Sequence, residues 1–131
     1  MTRFRPLSTF IAATAVMALA SLAAVTGAER PGHFLSGFED LPLMDGLSEQ
    51  ADAGVVFDKP DGRIVERYAS GPLSFDSVYD FYKATLPQLG WRPAPSKAQR
   101  HLQFLREGES LDIAFESVGS ELVVHFTITP Q

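Results

Sequence analysis

Residues 100–106, 110–116 and 121–129 each alternate apolar and polar side chains, and the three alternations agree in phase. Successive strand residues point to opposite faces, so a shared phase requires a sheet that is apolar on one side only. With turns at Gly108-Glu109 and Gly119-Ser120, Glu107 is expected to face Ser110 and Val118 to face Glu121. Apolar rows then form across the strands: Leu102–Phe115–Val124, Phe104–Ile113–Phe126, and Leu111 beside Ile128. The other face carries His101, Gln103, Asp112, Glu116, His125 and Thr127. Such an antiparallel sheet needs a cover on its apolar side.

The cover lies upstream. Ser74 suits a helix N-cap, Asp76 places an anion in the first turn, and Leu73 with Val78 fits a hydrophobic staple. Val78, Phe81, Tyr82, Leu86 and Leu89 follow the spacing of one apolar helical stripe. Gly90 suits a left-handed stop that folds Trp91 back on Leu86, while Pro87 disturbs the last turn. A helix over residues 75–86 is expected, with Phe81→Asp abolishing cooperative folding. Before it, segments 55–57 and 63–69 flank Lys59-Pro60-Asp61-Gly62, a hairpin signal in which Ile64 and Val65 compete for the inside. The expected fold class is α+β: a β-hairpin, one amphipathic helix and a three-stranded meander, with the helix packed on a mostly antiparallel sheet.

Residues 29–54 show neither period. Their apolar side chains are too many for a disordered linker, so they read as an irregular arm that docks on the domain at 55–131 or on a partner. Phe34, Leu35, Phe38, Leu41, Leu43 and Met44 are the expected interaction surface, because no periodicity explains them.

Residues 1–28 read as a signal peptide. Arg3 and Arg5 precede an uncharged stretch, and small residues at Thr26 and Ala28 favour cleavage before Glu29. An uncleaved single-pass anchor is the alternative. Either way the remainder is expected outside the cytoplasm, periplasmic or secreted, with membrane contact only through a retained anchor. Beyond residue 28 nine basic side chains meet 16 acidic ones, which disfavours nucleic acid as a partner.

Several stretches together resemble a family of small exported alphaproteobacterial proteins. They are Gly37-Phe38-Glu39-Asp40-Leu41-Pro42-Leu43-Met44, Val55-Val56-Phe57-Asp58, Gly62-Arg63-Ile64-Val65-Glu66, Phe81-Tyr82 with Leu86-Pro87-Gln88-Leu89-Gly90-Trp91, and Arg106-Glu107-Gly108-Glu109. The resemblance implies export and a compact α+β domain and brings no catalytic residues. At the level of fold, a helix on an antiparallel sheet is similar to helix-grip domains of envelope-assembly lipoproteins, whose lipid-attachment cysteine this chain lacks.

Chemistry finds little footing. Without cysteine, disulfides, thiolate metal sites and a Cys nucleophile are excluded. His101 and His125, two residues out of line in the register above, are expected about 12 Å apart, too far to share a metal ion. Glu107, Glu109 and Asp112 read as a solvated turn, and Ser70, Ser74 and Ser77 have no recognisable His or Asp partner. No catalytic, cofactor or metal residues are therefore expected. The expected function is a non-enzymatic periplasmic interaction module with an envelope protein as partner. A domain binding a small apolar ligand or lipid in the envelope is the alternative, using the aromatics around the helix.

Overall fold

The computed structural model describes residues 33–131 apart from Glu39 and Lys97, so the signal-peptide expectation lies outside the described residues. The fold is α+β, one helix packed against a mostly antiparallel sheet. In chain order its elements are β1 (Ser48–Glu49), β2 (Val55–Lys59), β3 (Gly62–Gly71), α1 (Phe75–Thr85), β4 (Arg92–Ala94), β5 (His101–Arg106), β6 (Glu109–Val118) and β7 (Glu121–Pro130). Strand order is β1-β3-β7-β6-β5-β4. β2 also pairs with β3, and Val65 and Glu66 pair with both β2 and β7, so β1 and β2 share the outer side of β3. Among the described residues, none of the helices is long and apolar enough to cross a membrane.

The helix forms where the cap and stripe place it. Ser74 Oγ accepts the Ser77 amide at 3.2 Å, and Leu86–Leu89 continues as a 3₁₀ turn because Pro87 cannot donate. Gly90 takes φ 89°, and the Trp91 amide returns to the Leu86 carbonyl at 3.1 Å. Val78, Tyr82, Leu86 and Trp91 are buried, whereas Phe81 is half-buried and Leu89 is exposed. The stripe is thus narrower than its spacing suggests. Phe81→Asp, placed in a half-buried position, is no longer expected to abolish folding.

The β6–β7 register is the expected one, with Ile113 opposite Phe126 and Val118 opposite Glu121. The β5–β6 register is shifted by two residues: Leu102 faces Ile113, and Arg106 faces Glu109. The reason is the turn. Glu107 and Gly108 both adopt positive φ, 48° and 79°, as the two central residues of a tight hairpin turn whose twist matches the strands. A slip of two preserves the faces, so Leu102, Phe104, Leu111, Ile113, Phe115, Val124, Phe126 and Ile128 remain on the buried side. On β3, Val65 is buried and Ile64 is not.

The arm is part of the core. α1 covers one portion of the apolar face, with Tyr82 edge-on to Phe126 at 5.2 Å and Phe75 edge-on to Phe115 at 5.3 Å. Leu35, Phe38, Leu41 and Leu47 of the arm join the same buried cluster. Residues 33–38 and 40–47 thereby dock on the domain and complete its second layer. Arginines on the sheet hold them. Arg63 donates to the Gly37 carbonyl at 3.1 Å, Arg67 donates to the Ser36 carbonyl at 2.9 Å, and Arg106 pairs with Asp40. The arm approaches so closely that a Cβ on Gly71 would stand 2.1 Å from the Gly46 carbonyl oxygen.

Candidate interaction surface

The six arm residues expected to form a contact surface divide into two groups. Leu35, Phe38 and Leu41 are buried and are withdrawn from that surface. Phe34 stays 48% exposed, and with the half-buried Leu43 and Met44 it lines an open cleft of about 480 Å³. The cleft runs on along His33, Asp45, Gly46, Leu47 and β1. A closed turn shapes it: the Leu43 amide donates to the His33 carbonyl at 2.6 Å, and the Leu35 amide to the Leu41 carbonyl at 3.0 Å.

Farther along the same sheet edge lies a surface that periodicity did not mark. Among the described residues β2 pairs with β3 on one side only, and Val55, Val56 and Phe57 are 53%, 51% and 56% exposed. A strand with apolar residues on both faces ordinarily signals burial on both. Among the described residues the second layer stops short of β2, and neither face is covered. Half-exposed β-branched and aromatic side chains on an open edge are a template for pairing with another chain.

The opposite face of the sheet carries a polar array. Ser96, following β4, continues the β4–β5 register into the position facing His101, and Asp112 stands diagonally from it on β6. His101 Nε2 lies 3.0 Å from Asp112 Oδ1, and Nδ1 lies 2.6 Å from Ser96 Oγ. In the tautomer that carries its proton on Nε2, His101 donates to Asp112 and Nδ1 accepts from the Ser96 hydroxyl. Behind them Gln103 donates to Ser110 Oγ at 3.1 Å, and Ser110 donates to Asp112 at 3.2 Å. The array borders a shallow cleft of about 350 Å³ lined by Pro95, Ser96, Ala98, His101 and Gln103. Acyl transfer needs N–H donors aimed at a developing oxyanion. The Ala98 amide instead donates to Ser96 Oγ itself at 3.4 Å. The arrangement ties Ser96 and Ala98 to the sheet.

No family model, curated protein or solved structure matches this chain.

The remaining groups read from sequence are dispersed. His125 shares a row with His101 across Ala114, which corrects their separation to about 10 Å by strand spacing. His125 stacks on Tyr68 with ring centroids 4.1 Å apart. Among the described residues, no group of three or more His, Asp or Glu is placed to hold a metal ion. Glu109 pairs with Arg63 at 3.3 Å, and Glu107 faces solvent. Of the helix-side aromatics read as a possible ligand groove, Tyr82 and Trp91 are buried in the core, whereas Phe75, Tyr79 and Phe81 are partly buried and pack against it.

Proposed function

We propose that this protein is an exported, non-enzymatic interaction module that engages an envelope protein partner through the β1/β2 edge of its sheet. The observation that carries this reading is the uncovered β2 segment, Val55-Val56-Phe57, whose side chains are each about half exposed. Apolar patches left open on a soluble domain mark contact sites. The neighbouring cleft at Phe34, Leu43 and Met44 lies along the same edge and extends it. The apolar-ligand alternative has less support, because Tyr82 and Trp91, two of the aromatics it would use, are buried in the core.

In-cell photo-crosslinking tests the reading. A benzophenone amino acid at Phe57 is expected to give a discrete cross-linked species, and the same probe at Lys83 on the helix surface none. Equal labelling at both positions, or none at Phe57, would reject β2 as the contact surface.

A further inference from the structure

β4 is three residues long and stops at Ala94. Beside its end, between α1 and β5, lies a cleft of about 300 Å³ walled by Tyr79 and Lys83 on the helix, Pro93 and Ala94 on β4, and Leu102 and Phe104 on β5. Leu102 and Phe104 belong to the buried core, so the floor is apolar. Ser96, His101 and Gln103 reach the cleft too, but their polar atoms are already spent on one another and on Asp112 and Ser110.

The donors left over belong to the helix. Tyr79 and Lys83, four residues apart, share one helix face, with Nζ 5.8 Å from the ring centroid. The Tyr82 hydroxyl is bonded to the arm, whereas the Tyr79 hydroxyl has no partner among the described residues. Lys83 likewise pairs with no carboxylate among them. The three walling elements carry two acids, Asp76 and Asp80 on α1, and neither lines the cleft. Against them stand Lys83, Arg92 and Arg106, in a chain whose acids outnumber its lysines and arginines 16 to 11. The clefts at Asp40, at Asp45 and Glu49, and at Glu116 all have a carboxylate in their walls. This one sets a cation and a phenol above an apolar floor.

We propose that this cleft binds a small apolar carboxylate. Its hydrocarbon body lies on Leu102, Phe104 and Pro93, and its carboxylate accepts from Lys83 Nζ and the Tyr79 hydroxyl. The inference does not rest on β2, which shares none of these walls. Lys83 is exposed, so solvent screens the ion pair. A ligand of about ten non-hydrogen atoms is therefore held weakly, with a dissociation constant on the order of 1 mM.

Amide chemical-shift titration of the purified protein tests the proposal, with octanoate, 1-octanol and octylammonium as probes. Octanoate should give saturable shifts centred on Tyr79, Lys83, Ala94, Leu102 and Phe104, weakened by added salt. 1-Octanol should shift the same residues and bind more weakly. Lys83→Gln and Tyr79→Phe should each weaken octanoate by about two- to fivefold and leave 1-octanol unchanged. Lys83→Glu should reverse the order, so that octylammonium binds more tightly than octanoate. Ala94→Phe should exclude all three probes, and its thermal transition confirms that it folds. The proposal is overturned by the absence of saturable shifts at ~10 mM octanoate, well above the affinity expected for a ligand of this size. Shifts centred on Val55–Phe57 instead, or octanoate binding unchanged in both Lys83→Gln and Lys83→Glu, overturn it equally. The cross-link at Phe57 stands or falls separately, because the probes and the walls differ.

Discussion

The Tyr82 hydroxyl donates to the Pro42 carbonyl at 2.9 Å and accepts the Met44 amide at 3.2 Å, tying the middle of the helix to the arm. Two backbone groups that the irregular arm cannot satisfy by itself are thereby paired inside the second layer. Tyr82→Phe leaves both without that partner and should cost about 1–3 kcal/mol. Urea denaturation measures the loss, and limited proteolysis should find cleavage within residues 33–47 before cleavage in the sheet.

The same tyrosine predicts an alkaline limit. Burial pushes its ionisation above the ordinary phenol value of 10.0, outweighing the opposing effect of the Met44 amide. A group whose folded value is raised contributes its stability fully below the unfolded value and loses it as pH climbs toward the folded one. Stability should therefore hold up to about pH 10 and fall beyond it, with the fall reduced in Tyr82→Phe; denaturant midpoints across that range measure both.

Gly71 is the second hinge of arm docking. Gly71→Ala forces its new Cβ against the Gly46 carbonyl, which cannot move without lifting the arm. Partial exposure of Leu35, Phe38, Leu41 and Leu47, at about 1.5–3 kcal/mol for each side chain fully lost from the core, should lower the melting temperature sharply. A melting temperature within a degree or two of native would show that the arm is dispensable.

Glu107 holds φ 48°, where a Cβ is disfavoured and Asn or Gly is at ease. Glu107→Asn should stabilise the protein by about 0.5–1 kcal/mol, read from the denaturation midpoint. A destabilised variant would argue against the tight turn and against the β5–β6 register that follows from it.

Ser96, His101 and Asp112 should behave as a loop fastening. His101→Ala should speed amide exchange in residues 95–100, and a fluorophosphonate probe should leave Ser96 unlabelled. Labelling at Ser96 that disappears in His101→Ala would instead identify an activated nucleophile.

Sequence alone determined the sheet face, the helix and its cap, because these depend on periods of 2 and 3.6 and on local chemistry at Ser74, Pro87 and Gly90. Alternation is unchanged by a shift of two residues, so it placed Phe104 and Ile113 on the right face while pairing Phe104 with Ile113 instead of Leu111. That shift also hid the approach of Asp112 to His101, and the register position of Ser96 depends on β4–β5 pairing beyond the strand's end. Only the tertiary structure decided the fate of the unpatterned segments. Leu35, Phe38 and Leu41 are buried because the helix leaves part of the apolar face open, whereas Val55, Val56 and Phe57 are exposed because, among the described residues, no layer reaches that edge. Burial there is set by what other segments cover, and a residue's own neighbours in the chain contain no record of that.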